Sequence, residues 1–338
     1  MAKISQESEK DIVIDVSGIG REFRSYKKGA GFWESVKGLV NRKYTTKIAL
    51  REVSFKVRKG EIIGLIGPNG AGKSTLIKIL SGVLYPTHGD MSILGYVPWT
   101  DRIKYTKHIG VVFGQKSQLW WDLPAVDSFV LNKSLYDIPE SVYKRRLRAM
   151  VRLLDVGELM KMQVRQMSLG ERMRCEIIQS LLHNPPIVFF DEPTIGLDVI
   201  AKERMRDFIK EINQKEGTTF IITTHDMDDI EKLCERVIII NHGKIIYDGS
   251  LEEVRKRFAN KKIIDCKMSE PKIGNFEMKG CKVLEKRPHQ IILELDLSKN
   301  KLRRVIGELM KRYGLNIEDM AITDPPIEET IKAIYRKK

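Results

Sequence analysis

The chain has 338 residues, 42% hydrophobic and 31% charged, with a formal net charge of +14, enough for one large α/β domain with a real core plus a small appendix. No apolar run approaches the roughly 18 residues that span a bilayer, the longest being strand-sized at residues 187–190 and 237–240, and residues 1–8 hold no apolar region of a secretory signal. The chain is therefore expected on the cytoplasmic side, and Cys175, Cys234, Cys266 and Cys281, scattered without paired spacing, argue against a zinc site or a disulfide frame.

Taken in order, residues 13–16 and 50–57 alternate like strands and flank a basic insertion at about 24–47. Within it Phe32, Trp33, Val36, Leu39 and Val40 fall at helical spacing. That pattern predicts a short basic amphipathic helix lying on a membrane surface, on a partner or on its own domain. Residues 61–66 read as a buried strand, followed by a glycine turn and by residues 76–80 at helical period. A strand at 110–113 leads to a mostly helical stretch at 126–162, in which Asp137 and Glu140 have the spacing of a capping box. A helix begins near Ser168, and strands at 187–190, 219–224, 236–240 and 244–247 then alternate with helices at 201–212 and 227–235. Such alternation predicts a largely parallel sheet with helices on both faces.

Near residue 260 the texture changes to short strands at 263–266, 283–286 and 291–295, a helix, a strand near 320–322 and a last helix after Pro325-Pro326. Leu302, Val305, Ile306, Leu309, Met310 and Tyr313 keep the spacing of one buried helical face. Without a glycine-rich loop or a catalytic cluster, residues 260–338 read as a small α+β domain with a structural, dimerising or regulatory role.

The chemistry concentrates in two motifs. Gly67-Pro68-Asn69-Gly70-Ala71-Gly72-Lys73-Ser74-Thr75 satisfies the phosphate-loop pattern between a strand and a helix. Its glycines let successive N–H groups face phosphate oxygens, and the helix adds its positive amino end. Lys73 supplies a charge to the β- and γ-phosphates and the Ser74 hydroxyl a ligand to Mg²⁺. A second, apolar strand ends in Asp191-Glu192. Asp191 is delivered to the magnesium shell as in the Walker B position, and Glu192, pointing elsewhere because side chains alternate along an extended segment, is the candidate general base for water.

With these two motifs, residues of about 12–255 resemble the ATP-binding subunit of an ABC transporter. The resemblance implies an α/β P-loop NTPase core of the ABC ATPase type, residues 1–259, with a helical subdomain at about 116–180. Gln115 resembles the glutamine that touches Mg²⁺ or the water, and Met167-Ser168-Leu169-Gly170-Glu171 the signature turn, usually Leu-Ser-Gly-Gly-Gln. Gly196-Leu197-Asp198 resembles the D-loop and His225 the switch histidine on the γ-phosphate. Phe23 stacks on adenine in this reading, with Tyr26 its rival.

The resemblance further implies that two copies close head to tail around ATP and Mg²⁺. Ser168 and Gly170 of one chain complete the site of the other, and Leu169 and Glu171 depart from the usual turn. The motor would then act on separate integral-membrane permease subunits from the cytoplasmic face of the membrane. Residues 110–124, the basic insertion and the carboxyl-terminal domain are similar to exporter-type members, in which at least one of Trp120 and Trp121 would meet the permease. An importer ATPase is the near alternative. A soluble ABC-type ATPase on ribosomes or nucleic acid is the distant one, because only one phosphate loop appears and no heptad run separates Lys73 from Asp191. No nucleic-acid partner is expected, and the transported substrate is not written in the chain.

Overall fold

The computed structural model describes residues 11–26, 44–114, 116–256, 261–269 and 277–336. They fall into two compact units, divided between Gly249 and Ser250. The amphipathic helix expected around residues 32–40, and Gln115, lie outside the described residues.

The first unit opens with β1 (Ile12–Tyr26) and β2 (Tyr44–Arg58), an antiparallel pair extending from Ile12↔Arg58 to Tyr26↔Tyr44. Next come β3 (Ile62–Ile66), α1 (Lys73–Leu80), β4 (His88–Ile93), which pairs with the other edge of β1, and the single turn α2 (Arg102–Tyr105). The rest is β5 (Ile109–Phe113), α3 (Ala125–Leu135), α4 (Glu140–Leu154), α5 (Leu169–Leu181), β6 (Ile187–Asp191), α6 (Val199–Glu216), β7 (Thr219–Thr223), α7 (Met227–Leu233), β8 (Arg236–Asn241) and β9 (Lys244–Ser250).

Among the described residues the large sheet runs β5-β6-β7-β3-β8-β9, parallel from β5 through β8. A parallel sheet is covered on both faces, so its strands carry continuous apolar runs. Phe189, Phe190, Phe220, Val237 and Ile239 are accordingly fully buried.

The second half of the helix after the glycine turn is apolar except for Lys78 because it packs between two sheets. Leu76, Ile77, Ile79 and Leu80 share one core with Ile14, Leu50, Val53 and Val57 of the antiparallel sheet and with Leu65, Phe189 and Ile238 of the parallel one. Each such side chain contributes about 1.5–3 kcal/mol relative to exposure. That anchoring fixes the amino end of α1, and with it residues 67–72.

One expectation about helix starts is corrected. Asp137 and Glu140 do not form a capping box: the residue before α4 is Pro139, with no side-chain cap. Asp137 instead closes α3. It takes φ +51°, its N–H donates to Ser134 O at 3.4 Å, and the next N–H, of Ile138, donates to Lys133 O at 2.9 Å. This is a left-handed helix stop of the Schellman kind. Glu140, left free of the cap, pairs with Lys133 and Lys144.

The second unit holds α8 (Leu251–Lys256), β10 (Lys261–Met268), β11 (Cys281–Arg287), β12 (Gln290–Asp296), α9 (Leu302–Tyr313), β13 (Ile317–Thr323) and α10 (Ile327–Arg336). Its antiparallel sheet runs β11-β12-β10-β13. Val305 and Leu309 of α9 close a core over Ile264, Cys266, Leu293 and Leu295. Met310, expected on the buried face, is 54% exposed, because the buried stripe of α9 centres on Val305 and Leu309.

Candidate functional site: a nucleotide-phosphate site

The site gathers where β3, β6 and β7 end. β3 stands between β7 and β8, and residues 67–72 leave its carboxyl end, where open α/β sheets bind ligands. The turn is tight for reasons of packing. A Cβ on Gly67 would come within 2.4 Å of Ile240 O, and one on Gly72, at φ +112°, within 2.7 Å of Ala49 O. Pro68, Asn69 and Gly70 are exposed, whereas Ala71 is buried and bonded into the fold, its N–H donating to Pro68 O and its carbonyl accepting from Gly243 N–H.

Lys73 is 7% exposed, and its Nζ donates to Gly67 O at 2.6 Å and Pro68 O at 3.2 Å. Burial lowers its pKa from the ordinary lysine value, and the carboxylates of Glu192 and Asp191 oppose that shift. Ser74 is exposed and Thr75 half-buried. Ser74 lines a cavity of about 240 Å³ together with Lys78, Phe113, Gly114, Asp191 and Glu192.

The two acids are separated by backbone conformation. Asp191 remains on β6 opposite Thr223 of β7, whose Oγ1 donates to Asp191 Oδ1 at 2.6 Å. Glu192 leaves the strand at φ +59°, a region that a glutamate rarely adopts, and its N–H is held by Thr223 O at 3.0 Å and Thr223 Oγ1 at 3.1 Å. The expectation that strand alternation separates them is thus corrected: a left-handed turn does so. Glu192 Oε1 lies 2.5 Å from Nε2 of the half-exposed His225. Gly114 N–H donates to Asp191 O at 2.8 Å, so the chain passes these acids on its way out of β5.

The signature-like turn forms a second group with residues 196–198. Ser168 caps α5 in a full capping box: its Oγ accepts from Glu171 N–H at 3.3 Å and its N–H donates to Glu171 Oε2 at 2.8 Å. These bonds hold the Glu171 carboxyl below the ordinary glutamate range. Gly170 is buried, and a Cβ there would sit 2.8 Å from Gly196 O. Its own chain therefore already requires glycine at this position. Asp198 caps α6, its Oδ1 accepting from Ala201 N–H at 2.8 Å.

Phe23 lies on β1 opposite Lys47, half-buried, with the Arg21 guanidinium 4.7 Å above its ring. Lys47 is two residues from Ala49, whose carbonyl backs the phosphate loop. For Tyr26 the structure gives the backbone pairing with Tyr44.

Two residue sets were missed by sequence reasoning. Thr223, which orients both acids, stands inside the stretch that ends in His225 and carried a signal only through that position. Asp229 carried none: buried on α7, it accepts from Thr194 Oγ1 at 2.7 Å, Arg206 Nη1 at 2.8 Å and Thr224 Oγ1 at 3.3 Å. It thereby ties the chain after Glu192 to the chain before His225.

A glycine turn between a central parallel strand and a buried helix, with two acids at the end of β6 in the same sheet, defines a P-loop NTPase core. A family model described as "ABC transporter" matches residues 50–195. The ABC transporter ATP-binding protein NatA of Bacillus subtilis is 32% identical over 206 residues, covering 61% of this chain and 83% of that one. Two relatives extend further along the chain. The linearmycin resistance ATP-binding protein LnrL of Bacillus subtilis is 28% identical, covering 86% of this chain and 94% of its own length. The methionine import ATP-binding protein MetN of Latilactobacillus sakei is 29% identical, covering 80% and 81%. A solved ATP-binding subunit of an ABC transporter superposes with TM-score 0.61 at 26% identity, covering 73% of this chain and 93% of that one. The chain belongs to the ABC transporter ATP-binding protein family.

Proposed function

We propose that the chain is the ATP-hydrolysing motor subunit of a membrane exporter, working as a dimer of two such chains on separate permease subunits. The observation that carries the hydrolytic part is the division of the two acids. Thr223 keeps Asp191 on its strand, while Glu192 turns out at φ +59° to meet His225.

In this reading the backbone N–H groups of residues 68–72 cradle the phosphates and Lys73 exchanges its loop carbonyls for phosphate oxygens. The donor set fits Mg²⁺: the Ser74 hydroxyl and Asp191 carboxylate share one cavity, and hard cations take oxygen ligands. Held by these two residues, Mg²⁺ would take its other ligands from waters and substrate phosphate oxygens. Bound there, the ion neutralises charge that develops on the phosphates. Gln115 is assigned to the same shell. The free Glu192 oxygen accepts the proton of the attacking water, and His225 holds the other, then faces the γ-phosphate. Phe23 supplies the adenine platform.

Ser168 and Gly170, with Asp198 beside them, present the second half-site to the other copy. Trp120 and Trp121, 52% and 51% exposed, are assigned to the permease. Among the described residues no helix is long and apolar enough to cross a membrane, which accords with a peripheral subunit held at the cytoplasmic face by its permease. Export is supported by the similarity to a resistance protein over 86% of this chain. Import is the second reading, favoured by the similarity to a methionine import protein. Isolation of the native complex with a solute-binding protein would decide for import.

Glu192→Gln tests the mechanism. General-base removal costs about 10²–10⁴ in rate, so the variant is expected to bind ATP, lose hydrolysis on that scale and accumulate as a closed dimer. Near-normal turnover would remove Glu192 from the role.

A further inference from the structure

Glu176 is a carboxylate only 4% exposed, on the face of α5 that turns into the protein. A buried carboxylate is costly unless donors surround it, and here all the donors belong to one short segment. Ser117 Oγ donates to Glu176 Oε1 at 2.5 Å, and Gln118 N–H is 3.0 Å from both Oε1 and Oε2. One turn earlier on α5, the Arg172 guanidinium lies 5.4 Å above the ring of Trp121. Residues 117–121 form no helix or strand of their own. Their path is set by these grips, by Gln118 Nε2 donating to Val111 O at 2.8 Å and by Trp120 N–H donating to Ser128 Oγ at 3.0 Å.

An apolar residue would fill the same face of α5 without any desolvation cost, so packing alone does not call for an acid. What the acid adds is directional bonding between a loop that starts just beyond Asp191's neighbour Gly114 and a rigid helix whose first residue follows Ser168. At 1.5 Å per residue, Glu176 stands about 12 Å along the axis from that turn. Residues 117–121 are thereby joined to the Ser168 turn through one uninterrupted helix.

We propose that Glu176, assisted by Arg172, is a positioning residue that locks residues 117–121 to α5, so that this segment and the Ser168–Glu171 turn move as one body when ATP closes the dimer. The proposal rests on the reading of Ser168 as half of a shared ATP site.

Tryptophan emission tests it on the full chain, in a Glu192→Gln background that holds ATP. Addition of ATP is expected to change the emission, and Trp121→Phe to remove most of that change. Glu176→Ala added to this background is expected to bind ATP at the phosphate loop as before, to lose the emission change and to form the closed dimer about tenfold less readily, the scale of one lost charged hydrogen bond. Glu176→Gln, which keeps one acceptor oxygen, is expected to restore part of both signals. A merely structural acid would lower the melting temperature and leave the emission response intact. Should Glu176→Ala not fold, Ser117→Ala and Glu176→Gln carry the test through a partial loss of the response at unchanged ATP affinity. The full response in all variants overturns the proposal, as does a parent that binds ATP with no emission change. A parent that binds no ATP overturns the hydrolytic reading itself and the coupling with it.

Discussion

Gly196 has φ +74°, and a Cβ built on it would lie 2.7 Å from Leu169 Cδ2. Leu169 stands where the resemblance led us to expect glycine, so in this chain the turn at 168–171 and the residues 196–198 interlock through a side chain. Gly196→Ala is expected to cost about 1–2 kcal/mol from the left-handed backbone alone, with the Leu169 contact adding to it. Leu169→Ala, a good helix former at an exposed helix start, is expected to cost little by itself. In the double variant the contacts with Leu169 Cγ and Cδ2 disappear, a tight 3.2 Å contact with Cβ and the backbone strain stay, and a coupling energy of about 0.5–3 kcal/mol is expected in a urea-unfolding cycle. Strict additivity would show that the two side chains do not touch. Glu171 carries a related lesson about legibility. It departs from the usual turn, yet Ser168 and Glu171 have the spacing of a capping box, and the structure uses them so. The sequence offered the same spacing at Asp137 and Glu140, where Pro139 and the end of α3 prevail. Spacing alone does not tell the two apart, because what decides is whether the preceding helix has already claimed the residue for its own stop.

Between the end of α5 and the start of β5 stands His183, whose Nε2–H donates to Ile109 O at 3.0 Å while its ring stacks 3.9 Å from that of Tyr136. Burial pushes its pKa down from 6.5 to about 4, the Ile109 bond opposing this and the charges of Arg146 and His108 adding to it. Between those two values the unfolded chain binds the extra proton and the folded chain does not. Stability linked to His183 is therefore complete above pH 6.5 and is lost as pH falls toward 4. The loss is on the order of 3 kcal/mol, at 1.36 kcal/mol per pKa unit. His183→Gln keeps an N–H for Ile109 O and cannot titrate, so its urea midpoint is expected to fall less steeply than the wild type's across that window. Parallel slopes would show that His183 is not the group responsible. Elements such as β5 and β6 were legible because strands buried on both faces read as apolar runs. β4 was not, since only Met91 and Ile93 of its six residues face the core. The outer halves of β1 and β2 were missed for the same reason: residues 44–48 of β2 are exposed and carry no hydrophobic period.

At the level of the whole chain, the change of texture near residue 260 was legible because short alternating strands replace apolar runs. The division by contacts falls earlier, between Gly249 and Ser250, since α8 packs against α10 within the second unit. The candidate site was legible up to the limit of one chain: residues 67–75, Asp191, Glu192 and His225 gather at neighbouring strand ends. Ser168 and Gly170, by contrast, make their contacts with Glu171 and Gly196, and the part in hydrolysis proposed for them requires a second copy. That dependence can be separated from every property of the single chain by mixing two inactive variants. Lys73→Ala removes the charge on the phosphates and leaves Ser168 intact, whereas Ser168→Arg blocks the presented turn and leaves Lys73 intact. Losing the Ser168 cap costs about 1 kcal/mol, which α5, anchored by Met173, Ile177 and Ile178, is expected to tolerate; a melting curve of the variant checks this. Each variant alone should be inactive. Random pairing of equal amounts makes half of the dimers mixed, and each mixed dimer has one intact composite site of two, so about one quarter of wild-type ATPase is expected if the sites act independently. Recovery below that fraction would measure cooperation between the sites, and no recovery at any mixing ratio would show that ATP is not shared between chains.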